Sequence, residues 1–140
     1  MISYNFENGL TIHEIRGLYD ENELAKYRGD AAELAAGLAN STIMTARDDG
    51  RLVGLIRGVS DMHTILFMND LVVLPEYSED GVAAELLSQF TEYFKQVSQI
   101  VAFGNNDEER KLLKSVGFTT PTDTDGDCLV RPRKILDIRY

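Results

Sequence analysis

A chain of 140 residues has room for one hydrophobic core, and 44% hydrophobic with 26% charged residues excludes a disordered, collagen-like or low-complexity protein. No stretch approaches the ~20 apolar residues of a bilayer span, and the opening Met1 to Glu7 lacks the basic-then-apolar order of a secretion signal, so a soluble, cytoplasmic domain is expected. With 14 Lys and Arg against 23 Asp and Glu, the formal net charge is −9; such a surface repels phosphate backbones and anionic headgroups, so neither nucleic acid nor membrane is an expected partner, and cationic amines are favoured.

Ile2, Tyr4 and Phe6 alternate along a short first strand. Thr11-Ile12-His13-Glu14 has the form of a capping box, and Ile12, Ile15, Leu18 and Tyr19 repeat at helical spacing after it. The stretch from Asp20 to Gly29 is polar and reads as a loop or a frayed turn. Asp30 then opens a second helix rich in Ala and Leu that ends near Asn40. From there the period shortens to two. Residues 42–47 and 51–59 form strands joined at Asp48-Asp49-Gly50, a hairpin signal because Asp and Gly tolerate positive φ. A third run, from about 64 to 74, is apolar on both faces and reads as a central strand covered on both sides, ended by Pro75.

Gly81 opens the most regular helix, with Val82, Leu86, Phe90, Tyr93, Phe94 and Val97 on its apolar face. Residues 100–103 follow as a short buried strand. Asn106-Asp107-Glu108-Glu109 starts a further helix by capping logic, and Gly117 supplies its left-handed stop. One or two strands, over 128–131 and 135–138, come after the acidic turn at 123–127. The order β-αα-βββ-α-β-α-ββ describes a single mixed α/β domain over residues 1–140, built on a central hairpin meander.

The chemistry concentrates in the strand–turn–helix from Leu71 to Leu87. A strand that ends in a tight turn, with glycine opening the next helix, directs unpaired amides and a positive dipole end outward, which suits a pyrophosphate or a carboxylate. Gly81 and Ala83 carry little side chain, so a ligand can approach the backbone closely. An ordinary connection between two elements has the same form.

The order of elements and the run from Asp70 to Leu87 resemble the GNAT-type N-acetyltransferase superfamily. In that family a Q/R-x-x-G-x-G/A loop between the fourth strand and third helix binds the pyrophosphate of acetyl-CoA. Here the pattern falls on Ser78-Glu79-Asp80-Gly81-Val82-Ala83. The hairpin from Ala46 to Gly54 resembles the family's second and third strands. The spacing from Asn106 through Glu109, Leu112 and Leu113 to Gly117-Phe118 is similar to its late N-x-x-A-x-x-F-Y-x-x-x-G-F pattern. The resemblance covers residues 1 to 120 and implies a mostly antiparallel sheet flanked by helices, with a splay between the fourth and fifth strands.

It further implies acetyl-CoA as cosubstrate, its pantetheine arm beside Leu71 and Val73 and its phosphates at the amides of Glu79, Asp80, Gly81, Val82, Ala83 and Ala84. Asn106 would reach the arm near the thioester. The acceptor would be a primary amine of a small molecule or peptide, attacking the acetyl carbonyl directly. This sequence departs from the family pattern in three ways: Ser78 replaces the long donor, Glu79 and Asp80 stand where Gly and Lys are usual, and Leu113 occupies the tyrosine acid's position. The same departures fit a second reading, a family member whose phosphate loop has drifted toward a binding or regulatory role. A third has the groove taking another acyl or peptide ligand by strand addition.

Asp70, just before the cofactor strand, is the candidate general base, with a hydrogen-bonded structural carboxylate as its bland alternative. Asp20, Tyr19, Tyr27 and Arg28 lie where the family's acceptor loop falls, and a loosely packed helix connection explains them equally well. His63 and Asp61 suit a surface turn, His13 a helix surface, and Tyr77 an anchor for the turn. The lone Cys128 excludes an internal disulfide, and His13 and His63 are too far apart for a metal pair, so no metal is expected. The run Arg131-Pro132-Arg133-Lys134 is too short to outweigh the acidic balance. Sheet edges at the last strands would be covered by a homodimer.

Overall fold

The computed structural model describes residues 1–20 and 30–120. In chain order these form β1 (Ile2–Glu7), α1 (Ile12–Tyr19), α2 (Ala31–Ala39), β2 (Thr42–Asp48), β3 (Arg51–Ser60), β4 (Ile65–Val73), a short 3-10 turn at Pro75–Tyr77, α3 (Val82–Tyr93), β5 (Gln99–Ala102) and α4 (Asp107–Ser115). The order matches the one the sequence implies. The expected strands at 128–131 and 135–138, with Cys128, the acidic turn and the short basic run, lie outside the described residues.

Local chemistry sets most boundaries. Thr11 Oγ1 accepts the Glu14 amide at 3.1 Å while Glu14 Oε1 accepts the Thr11 amide at 3.2 Å, so the capping box is complete. Asp30 caps α2 through the Glu33 amide. The β2–β3 hairpin turns on Asp49 and Gly50, with φ of 50° and 92°, so both central residues are left-handed as a primed turn requires. At the far end of α4 the Phe118 amide reaches the Leu113 carbonyl and the Gly117 amide reaches Lys114, a Schellman closure. One boundary differs: α3 ends at Tyr93, not near Val97. Phe94 and Val97 stay buried but belong to the turn that follows, and Tyr93 is half-exposed, stacked on Phe6 at 4.4 Å.

The strands form one sheet in the order β1-β2-β3-β4-β5, antiparallel except for the parallel pair β4–β5. The strand buried throughout is β3, from Leu52 to Gly58. In β4 only alternate residues, Leu66, Met68, Asp70 and Val72, are buried, so the expectation of a central strand covered on both sides is corrected. Burial shifts to β3 because it has two strands on one side and two on the other.

Helices pack on both faces. Leu86 of α3 lies 3.3 Å from where a Cβ on Gly54 would stand, and Arg57 Nη1 lies 3.3 Å from the corresponding point on Gly37 of α2. Residues 54 and 57 differ by an odd number along β3, so α3 and α2 cover opposite faces.

β1, α1 and β2 are joined by one charged cluster. Arg47 donates from Nε to Glu7 at 2.8 Å and from Nη1 to Glu14 at 2.7 Å, and Thr45 also donates to Glu7. The Arg47 hydrogen bonds hold both glutamates below their ordinary range and raise the guanidinium further. A carboxylate with a depressed folded pKa adds stability above its unfolded value, and that stability is lost as pH falls through the folded value. The wild type is therefore expected to lose stability more steeply than Arg47→Met between about pH 5 and pH 3. At neutral pH the variant should be about 1–3 kcal/mol less stable. Urea unfolding across that range measures both.

Candidate functional site

β4 and β5 pair from Ile65↔Gln99 to Met68↔Ala102 and no further. On its other side, β4 carries one residue too many: Arg57 pairs with Asp70 and Gly58 with Met68, so that Asn69 falls between two successive register pairs. Such a bulge bends the strand that contains it. Here the bend falls where β5 ends, so residues 69–73 have β3 on one side and, among the described residues, no strand of the sheet on the other. This is the splay the resemblance implies.

An open groove of about 540 Å³ extends from the splay and is lined by Leu71 and Val73 of β4, by Ser78, Gly81, Ala83 and Ala84, and by α4 from Asn106 to Ser115. Gly81 caps α3 with φ +75° and provides no side-chain bond. The first intrahelical bond runs from the Glu85 amide to the Gly81 carbonyl. The amides of Val82, Ala83 and Ala84 precede it in the first turn and have no helical acceptor. Tyr77 anchors the approach to this turn, its hydroxyl donating to Asp48 Oδ2 at 2.6 Å. That bond lowers the Asp48 carboxyl and raises the Tyr77 hydroxyl.

At the inner end the groove meets a much smaller, mostly apolar cavity of about 30 Å³. Its walls include Met68, Asn69, Asp70 and Leu71 from β4, Ala102 and Phe103 at the end of β5, and Leu113 of α4. Leu71 and Glu109 line both spaces.

Asp70 is buried, and its Oδ2 accepts from Arg57 Nε at 2.9 Å and from the Tyr19 hydroxyl at 3.1 Å. Arg57 Nη1 also reaches Ser41 Oγ at 3.3 Å. One carboxylate thus ties α1, β3 and β4 together, and its arginine extends the tie to the end of α2.

The sequence-derived candidates separate on this geometry. Leu71, Val73, Gly81, Ala83, Ala84 and Asn106 come together around the groove, and Asp70 stands at its inner end. Glu79 and Asp80 are exposed on the turn. The Asp80 amide donates to the Tyr77 carbonyl at 3.1 Å, so it is spent in the turn and does not face a ligand as expected. The Val82 side chain is in the core, which leaves its amide as its route to the groove. Asn106 uses Oδ1 to cap α4 through the Glu109 amide, leaving its NH2 to face outward chemistry. Tyr19 is buried against Asp70 and is not part of an open loop, while Tyr27 and Arg28 lie outside the described residues. Asp61 accepts the amides of His63, Thr64 and Ile65 and the Thr64 hydroxyl, which holds its carboxyl well below the usual range and makes the β3–β4 turn structural.

Sequence reasoning missed three participants. Asn69 carries no compositional mark of a bulge. Arg57 and Asp70 are opposite charges in two otherwise apolar strands, which is the signal that would have joined them, because buried charges are paired. Glu109 was read only as a helix-starting acid, yet it lines both cavities while its Oε1 accepts the Asn105 amide.

Among the described residues no helix is long and apolar enough to cross a membrane, and no cluster of three metal-binding side chains occurs. A family model described as the acetyltransferase (GNAT) family matches residues 10–118. No curated protein sequence matches significantly. A GNAT-family acetyltransferase from Streptococcus pneumoniae is structurally similar, with TM-score 0.81 and 24% identity over 96% of this chain and 100% of that one. A probable acetyltransferase from meticillin-resistant Staphylococcus aureus aligns with TM-score 0.77 at 20% identity, covering 94% and 100%. The aminoglycoside N-acetyltransferase AAC(6')-Iy in complex with CoA aligns with TM-score 0.67 at 16% identity, covering 96% of each chain. At these identities the structural likenesses speak for the fold.

The buried pair makes a direct prediction. Asp70→Leu and Arg57→Met should each destabilise the protein by about 3–5 kcal/mol, because each leaves an opposite charge buried without its ion-pair partner. The double variant should recover most of that loss. Denaturant unfolding of the four proteins measures the coupling, and additive losses would show that the two charges act independently.

Proposed function

The chain belongs to the GNAT acetyltransferase family, and we propose that it moves the acetyl group of acetyl-CoA to a primary amine of a small molecule or peptide. The observation that supports this most is the continuity of the groove. It starts at a helix N-terminus with unbonded first-turn amides, follows the unpaired side of β4, and ends in a small apolar cavity beside Asp70. Those three surfaces suit, in order, the phosphates, the amide-bearing arm and the acyl end of one elongated molecule.

When bound, acetyl-CoA supplies an acetyl thioester reactive toward amines. The amides of Val82, Ala83 and Ala84 would receive the phosphates, adding donors and the positive end of the α3 dipole. Backbone groups of Leu71 and Val73 would pair with the pantetheine amides as a neighbouring strand would, and the Asn106 NH2 would donate to the same arm. Met68, Ala102, Phe103 and Leu113 would exclude water around the acyl group. Leu113 has no proton to give, but a thiol of ordinary pKa ~8.5 leaves as thiolate without one. As general base, Asp70 would take the amine's proton only by giving up part of its bonding to Arg57 and Tyr19; in the resting protein that bonding orients β4. The acidic surface favours cationic acceptors, and the cytoplasm is the proposed location.

The drifted-module reading retains two specific supports: Ser78 offers no long donor, and the Asp80 amide is consumed in the turn. Calorimetric titration with acetyl-CoA separates the two. Micromolar binding supports the enzyme, to be followed by a screen of amine acceptors for thiol release; no binding at millimolar concentration supports the module. If binding occurs, Ala83→Glu should weaken it at least about tenfold by placing a carboxylate in the groove, with unfolding temperature unchanged. Replacing Glu79 and Asp80 together by Gly and Lys should tighten it by several-fold, since each exposed charge near a helix N-terminus is worth ~0.3–1 kcal/mol. Unchanged affinity in that variant would place both carboxylates away from the phosphates.

A further inference from the structure

The groove's charge is unbalanced in a way that singles out one residue. Its lining includes Glu108 and Glu109, and among the described residues lining it Lys111 is the one cation. Lys111 sits on α4 across the groove from Ser78, Gly81, Ala83 and Ala84, the turn where the long donor of the family pattern is replaced by serine. Its helix does not neutralise it. Asp107, four residues earlier, is paired with Arg110, and no ion pair to Lys111 forms among the described residues. A lysine left without a carboxylate partner, facing an anion-suited turn through an open groove, is a mobile point charge with three donors.

We propose that Lys111 is the phosphate-binding cation of this groove, supplying from α4 the positive charge that the α3 turn lacks. The proposal rests on acetyl-CoA being the ligand. The chemistry is that of a phosphate oxyanion, and acetyl-CoA offers two sources, its diphosphate and its 3′-phosphate. Lys111 is exposed and its substitution opens no cavity, so variants should fold as the wild type does.

The test is calorimetric titration of wild type, Lys111→Ala and Lys111→Arg with acetyl-CoA and with 3′-dephospho-CoA, at low and moderate salt, with unfolding temperatures as a control. Lys111→Ala should bind acetyl-CoA about tenfold more weakly, the size of one hydrogen bond to a charged group, and its affinity should depend less on salt. Lys111→Arg should retain most of the affinity. Equal losses on both ligands assign the lysine to the diphosphate, and a loss confined to acetyl-CoA assigns it to the 3′-phosphate. Wild-type binding with undiminished affinity in Lys111→Ala overturns the lysine's role alone. Failure of the wild type to bind either ligand overturns the acetyl-CoA reading, and the role of Lys111 with it.

Discussion

The site depends on a failure of pairing. β5 ends at its pair with Met68, while β4 continues for five residues beyond Met68↔Ala102. The supernumerary Asn69 supplies the bend at that point. From this divergence follow the open side of β4, the apolar cavity between the separated strands, and the space into which α4 presents Asn106, Glu109 and Lys111. A flat, fully paired sheet of the same composition would have none of them.

A strand bent and unpaired on one side needs support from elsewhere, and the Arg57–Asp70 pair provides it one residue beyond the bulge. The pair joins β3 to β4 at their matched positions, Tyr19 fastens it to α1, and Ser41 extends it toward α2. Burying two charges is expensive unless their bonding is nearly complete, and here the Arg57 guanidinium and the Tyr19 hydroxyl both donate to one carboxylate. The helices on that face are thereby positioned relative to the same stretch of β4 that forms the groove wall. On the opposite face α3 packs through the buried Leu86, Leu87 and Phe90, and its first turn lines the groove.

Much of this was legible from residues. Capping boxes, the Asp-Gly hairpin, Pro75 and the glycines at 81 and 117 are local devices whose chemistry is complete within four or five residues, so the sequence states them outright. Gly81 and Ala83 stand out because a glycine-opened helix after a strand is likewise local, whereas Leu71, Val73, Ala84 and Asn106 come only from the family resemblance; all six line the groove. The misses have a shared cause. The end of α3 depends on where Phe94 and Val97 find the core, burial of β3 over β4 depends on sheet order, and the consumption of the Asp80 amide depends on how the turn folds back on Tyr77. The joining of Tyr19, Arg57 and Asp70 spans 51 residues of chain. Periodicity reports which side chains are apolar, not which distant ones meet.

The way the groove is specified has a consequence for how the chain can change. Its location is held as a count, the single residue by which β4 exceeds its partner, more than as the identity of any side chain. Exchange of one hydrophobe for another along β4 leaves that count intact. Loss of residue 69 would let Arg57↔Asp70 and Gly58↔Met68 follow one another directly, so every side chain would keep its partner and its face while the bend that opens the groove would go. The fold is thus permissive of substitution at this strand, and it is the groove that depends on the strand's length.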